Sequence, residues 1–175
     1  SSKERIEKIL REVKREIEEA EKRSRDILKD SERIMRDVKR TTDDLLRKAE
    51  EIIREVAKRK DDDRVRDLLR RLRDVVRRSR ELIKKLLKDN RKAVEDSKRL
   101  IKKLLDELRD MAEKLKKDGD EEVLKRLREL IDTVRRVLEE SHKRLRELTK
   151  RSEEEARRVN EELRELIDRV RREAE

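Results

Sequence analysis

The chain has 175 residues, of which 59% are charged and 31% are apolar, and its formal net charge at pH 7 is +10. It contains no Phe, Trp, Tyr, Cys or Pro and a single Gly, a composition that leaves few residues for strands or turns and predicts an almost entirely helical protein. It excludes a disulfide framework and a cysteine-ligated metal centre. It also excludes a membrane-spanning helix, because no run of about 18 apolar residues exists.

The first predicted helix covers residues 2–59. Apolar or small residues recur in steps of three and four from Ile6 to Val56, which indicates an ordered amphipathic helix rather than disorder. Ser1 and Glu4 have the spacing of a capping box. The run from Lys58 to Asp63 places three cations before three aspartates, as expected where one helix ends and another begins. This run predicts a tight turn, and a straight helix through it is the competing interpretation.

The second and third predicted helices cover residues 62–117 and 121–174. The second carries a seven-residue apolar repeat from Val65 to Leu104, which implies left-handed coiled-coil packing. Gly119 suits the left-handed position after a helix, and Asp120 suits the cap of the next one. Three helices of about 55 residues, each about 80 Å long, predict an extended all-α, up-down-up three-helix bundle. Residues 1–175 are expected to form a single domain.

Uncharged polar residues interrupt the apolar stripe of every segment. When neighbouring helices are antiparallel, residues at one height have numbers with a constant sum. By this test Ser79, Asn90 and Ser97 each meet a polar residue on both other segments. We therefore predict three buried hydrogen-bonded layers, because a buried polar group without a partner costs about 2–7 kcal/mol. The predicted layers are Ser24/Ser97/His142 with Ser141, Ser31/Asn90/Thr149 with Ser152, and Thr42/Ser79/Asn160 with Thr41.

The layers are unequally spaced along the helices, so a slipped register aligns at most one of them. The other polar groups would then face leucine, and we interpret the layers as determinants of register and oligomeric state. For a single Ser or Thr the alternative is a place at the solvated margin of the stripe. Thr133, which has no counterpart, is expected at such a boundary.

No catalytic, cofactor-binding or metal site is predicted. Ser141 and His142 are adjacent, but nucleophilic catalysis also needs an orienting third group and free backbone N–H groups, which a helix interior lacks. One histidine does not make a transition-metal site. The acidic runs at residues 139–140 and 153–155 are expected to be solvated faces that pair with nearby Arg and Lys. A single glycine excludes a glycine-rich phosphate loop.

The positive charge is concentrated in the middle of the chain, where residues 70–103 hold 15 cations and 5 anions. Such a surface can bind nucleic acid or anionic lipid non-specifically at low salt, although no aromatic residue is present to stack on bases. We expect a soluble protein with no targeting signal, no membrane association, no cofactor and no required partner. The alternative is an interaction module whose wide apolar stripes pack on further copies or on a designed partner helix.

Several of these features occur together in one known class of protein. The strict Leu, Ile and Val heptads, the surface of Arg, Lys, Glu and Asp, the Asp118-Gly119-Asp120 turn and the aligned polar layers resemble de novo designed helical bundles with buried hydrogen-bond networks. The resemblance covers the whole chain in style and transfers no functional residue. It implies an engineered scaffold with no natural substrate, expressed in a recombinant cytoplasm. Spectrin-like repeats are similar in architecture but usually keep aromatic core residues.

Overall fold

The computed structural model describes residues 2–59 and 62–175, and these residues form three α-helices with no β-strand among them. The helices are α1 (Ser2–Arg59), α2 (Asp63–Asp118) and α3 (Glu121–Ala174). All three pairs of helices are in contact, so the predicted three-helix bundle is confirmed. The predicted bounds agree for α1 and α3, and they differ by one residue at each end of α2.

α1 ends at Arg59 and α2 begins at Asp63, and Glu50 of α1 pairs with Arg80 of α2, so the two helices fold back on each other and the straight-helix interpretation is wrong. Asp62 caps α2: its Oδ1 accepts the backbone N–H of Arg64 at 3.0 Å, and its carbonyl oxygen accepts the N–H of Arg66 at 2.9 Å. Lys60 and Asp61 of the predicted turn lie outside the described residues. Ser1 of the predicted capping box lies outside them as well.

The turn between α2 and α3 is closed by local hydrogen bonds. Gly119 has a φ of 59°, in the left-handed region, and its N–H donates to the carbonyl oxygen of Leu115 at 2.9 Å. The Oδ1 of Asp120 accepts the N–H of Glu122 at 2.9 Å, which caps α3. The roles predicted for Gly119 and Asp120 are thus confirmed.

The packing of the helices divides into two compact units, each of which takes a part of every helix. Unit 1 combines the chain up to Ser31 with Lys92–Glu147. In this unit α1 and α3 are parallel, because Arg5 pairs with Glu121 and Arg23 pairs with Glu139. Its core consists of Leu, Ile and Val, and its largest fully buried apolar side chains are Leu108, Leu115 and Leu127.

Unit 2 combines Glu32–Arg91 with Leu148–Glu175. In this unit α2 and α3 are antiparallel, because Arg78 pairs with Glu162 and Arg64 pairs with Glu173. Two apolar clusters make up its core. The larger cluster includes Leu72 and Leu163, and the smaller one consists of Met35, Val38, Ile83, Leu86 and Ala156. Each fully buried leucine contributes roughly 1.5–3 kcal/mol relative to an exposed one, so these clusters hold the unit together.

Gly119→Ala is expected to lower the free energy of unfolding by about 1 kcal/mol, since an alanine in the left-handed region costs roughly 1–2 kcal/mol. The cause would be backbone strain and not a clash, because a Cβ at this position would lie 3.5 Å from Ile6 Cδ1, an ordinary contact. Gly119→Asn should lose less, because asparagine tolerates this conformation better. Urea denaturation of both variants measures the difference, and equal losses would contradict the explanation by strain.

Candidate functional site

The predicted layer residues, with one exception, are buried. They account for every buried polar or charged side chain among the described residues. The exception is Thr41, which is exposed, so its predicted place in the third layer is wrong. Successive residues of an α-helix point about 100° apart, and Thr41 therefore faces outward where its neighbour Thr42 faces inward. The buried residues are Ser24, Ser31, Thr42, Ser79, Asn90, Ser97, Ser141, His142, Thr149, Ser152 and Asn160.

The first layer lies in unit 1 and joins α1 directly to α3. The Oγ of Ser24 lies 3.0 Å from Nε2 of His142, and both side chains are buried. The sequence predicted a path through Ser97 of α2, but the long imidazole reaches α1 by itself. Ser97 and Ser141 are buried in the same unit, and the structure shows no hydrogen bond from either side chain to another layer residue among those it describes.

The environment of His142 disfavours its charged form. Burial lowers the pKa of this imidazole below its ordinary value of 6.5, the cations Arg23 and Arg146 lower it further, and Glu139 opposes them. Its Nδ1 is buried and has no hydrogen-bond partner among the described residues. His142 is therefore a neutral side chain at neutral pH, held by one hydrogen bond.

A cavity of about 300 Å³ in unit 1 is lined by side chains of all three helices, including His142 of α3, Ala20 of α1 and Leu108 of α2. Two ion pairs between α1 and α3, Arg23–Glu139 and Glu16–Arg135, contribute four more of its lining residues. The hydrogen bond with Glu16 raises the pKa of Arg135, which keeps that side chain charged. The charges within each pair neutralise one another, so neither pair offers an unpaired charge to a ligand in the cavity.

The Ser24–His142 contact places a hydroxyl beside an imidazole, as in a nucleophile and its general base. Among the described residues no carboxylate bonds to Nδ1 to orient the ring, and both side chains are almost fully buried: Ser24 is 3% exposed and His142 is 2% exposed. A substrate would have no access to the hydroxyl. The geometry supports a structural hydrogen bond between α1 and α3.

The second layer is centred on Asn90 in unit 2. Its Nδ2 donates to Oγ1 of Thr149 at 3.1 Å, which joins α2 to α3 through two buried side chains. Ser152 is buried in the same unit, and Ser31 is buried in unit 1. That Ser31 and Ser152 belong to one network with Asn90 stays a prediction.

The third layer, also in unit 2, is only partly paired. Thr42 Oγ1 donates to Oδ1 of Asn160 at 3.1 Å, so this bond again joins α1 to α3. Ser79 is 0% exposed, and its Oγ has no hydrogen-bond partner among the described residues. The predicted pairing of Ser79 with both of its neighbours is therefore wrong, because the short serine side chain reaches neither of them.

Comparison with known proteins finds no family model, no curated protein and no solved structure that matches the chain. Within residues 2–59 and 62–175, no three potential ligand side chains are grouped so that they could hold a metal ion. No helix in the same ranges is long and apolar enough to cross a bilayer. The buried polar layers are thus the feature from which a function has to be inferred.

The stability of unit 1 is expected to depend on pH through His142. Because the folded-state pKa is lowered, the unfolded chain takes up a proton below about pH 6.5 that the folded chain does not, so stability falls as the pH is lowered from about 8 to 5.5. Urea denaturation across this range measures the slope. His142→Gln, which keeps a polar side chain but does not titrate, should lose most of the slope, and an unchanged slope in this variant would exclude His142 as its source.

Ser79→Ala is expected to keep or raise the free energy of unfolding, because it removes a buried hydroxyl that has no partner, a group whose burial costs about 1–3 kcal/mol. Thr42→Val is the matched control: it removes a paired hydroxyl and leaves the Asn160 carbonyl oxygen without a donor, so it should lower the free energy of unfolding. Thermal and urea unfolding compare the two. A larger loss for Ser79→Ala than for Thr42→Val would contradict this assignment of the unpaired group.

Proposed function

We propose that the protein is a structural scaffold, a designed helical bundle whose role is to hold one register of its three helices and which carries out no natural biochemical reaction. The observation that carries the proposal is that the buried polar side chains of the described chain belong to the layers named above. Three buried hydrogen bonds in these layers each join two different helices. A catalyst exposes polar side chains to its substrate, whereas the polar side chains of these layers are buried inside the bundle.

The layers favour one register because their hydrogen-bonded partners on α1 and α3 are separated by the same number of residues along the chain. The two bonds between α1 and α3, Ser24–His142 and Thr42–Asn160, each join residues 118 apart. A slide of one heptad would instead place Thr42 opposite Ile167, and Asn160 opposite Met35, two buried apolar side chains of unit 2. Each mismatched polar group would cost about 2–7 kcal/mol, so the observed register is favoured over its nearest competitor.

The surface supports a scaffold that works as a single chain. Among the described residues no large hydrophobic side chain is exposed. Self-association through the apolar stripes, the alternative function, would require such side chains at the surface, because stable interfaces between copies bury an apolar core. A second candidate function based on apolar contacts therefore has no observation in its favour.

Light scattering or sedimentation tests the proposal directly. A particle with the mass of one chain, 21.4 kDa, is the expected result. A stable dimer or trimer at micromolar concentration would overturn the assignment of the layers to a single-chain register, since the same side chains would then specify an assembly.

Asn90→Leu combined with Thr149→Val is expected to keep or raise the melting temperature but to loosen the register or the oligomeric state, because replacing both members of a buried polar pair by apolar groups is often neutral or stabilising. Thermal unfolding measures the first effect, and light scattering measures the second as a spread of masses. The matched control is Thr133→Val, whose hydroxyl donates only to the Glu129 carbonyl oxygen within α3 at 3.0 Å. The control should change neither quantity, and substantial unfolding of the double variant would show that the layer is needed for stability.

A further inference from the structure

The outer face of α2 in unit 2 carries a group of cations that the structure leaves without partners. Lys84, Lys85, Lys88 and Arg91 are exposed, and none of them forms an ion pair or a side-chain hydrogen bond with any residue in the described ranges. One acidic residue, Asp89, lies among them in the sequence. We call these four residues the α2 cation row.

The preceding part of α2 is different, because its arginines are largely neutralised. Arg70 pairs with Asp67, Arg78 with Glu162 and Arg80 with Glu50. Within unit 2, the cations of α2 that form no ion pair with the described residues therefore lie mainly in the cation row. Exposed cations without a carboxylate nearby keep their attraction for other anions, whereas a paired arginine must first give up its carboxylate.

The spacing of the row places its charges along a line. Lys84, Lys88 and Arg91 are separated by four and three residues and so share one face of the helix, with Lys85 beside them. At about 1.5 Å per residue the row rises about 10 Å along the helix axis. Duplex DNA presents one phosphate charge per about 1.7 Å of its axis, so several phosphates are within reach of a row of this length.

The amino-acid composition and the exposed side chains indicate which kind of polyanion the row can bind. Single-stranded nucleic acid is bound largely by stacking on aromatic side chains, and the chain has none. A helix that lies in a membrane surface inserts apolar side chains, and no large one is exposed on the described residues. A duplex needs neither, because its phosphate backbone can be bound by charge alone.

We propose that the α2 cation row, Lys84, Lys85, Lys88 and Arg91, is a sequence-independent binding surface for the phosphate backbone of duplex DNA. Contacts of this kind release condensed counterions. The logarithm of the association constant therefore falls by about 0.9 per phosphate contact for each unit rise in the logarithm of the salt concentration. Three to four contacts by the row correspond to a slope of about −3 to −4.

The test is fluorescence anisotropy of the full chain with labelled duplexes of two unrelated sequences, in a salt series that starts at about 0.05 M. The row variant changes Lys84, Lys85, Lys88 and Arg91 to Gln together. The matched control changes Arg70, Arg71, Arg77 and Arg78 of α2 to Gln, which removes the same charge from exposed arginines that are paired with carboxylates. Circular dichroism verifies that both variants keep their helices, as expected for exposed positions.

The expected result is equal binding of both sequences, a loss of about tenfold or more in the row variant with a flatter salt slope, and a change of less than about threefold in the control. Equal weakening by both variants would mean that binding follows net charge alone and would overturn the assignment to the row. No binding by the unmodified chain at the lowest salt would overturn it as well. Tighter binding to vesicles that contain anionic lipid than to the duplex would reassign the surface to membranes.

Discussion

A hydrogen bond between two buried side chains is close to neutral when it forms, but either group is costly when it is left alone in an apolar interior. We propose that the register of this bundle depends on that asymmetry. Leucine, isoleucine and valine in heptads pack almost as well after a slide of seven residues, so the apolar stripes alone do not distinguish one stagger from the next. The bonds Ser24–His142, Thr42–Asn160 and Asn90–Thr149 do distinguish them, because each forms only when its two helices are at one relative height.

The same interaction explains why the layers are not uniformly favourable. Ser79 Oγ and His142 Nδ1 are buried without partners among the described residues, so these two polar groups reduce stability. His142 is also kept neutral, because its buried imidazole has one hydrogen-bond partner and little contact with solvent, which lowers its pKa. The apolar clusters of the two units, and not the layers, therefore supply most of the folding free energy.

The exposed ion pairs of the surface make a further, smaller contribution to stability. Exposed pairs at three- and four-residue spacing, such as Lys39–Asp43, support their own helices by a few tenths of a kcal/mol. Pairs such as Arg135–Glu16 connect α1 to α3 within unit 1. Lys84, Lys85, Lys88 and Arg91 form no ion pair with the described residues, so the surface keeps an unbalanced positive charge there.

The sequence by itself determined the three helices and their ends, because helix ends depend on neighbouring residues: Asp62 and Asp120 cap from within one turn, and Gly119 needs no distant contact to adopt its φ. It also identified every buried polar side chain of the described residues, since helical periodicity shows which side chains face inward, and Thr41 was its one wrong inclusion. Only the tertiary structure decided which of these polar side chains form hydrogen bonds with one another. A constant sum of residue numbers gives the height of a side chain but neither its direction around the helix nor its length, so Thr41 faces outward, Ser79 reaches no partner and the imidazole of His142 bonds to Ser24 without Ser97.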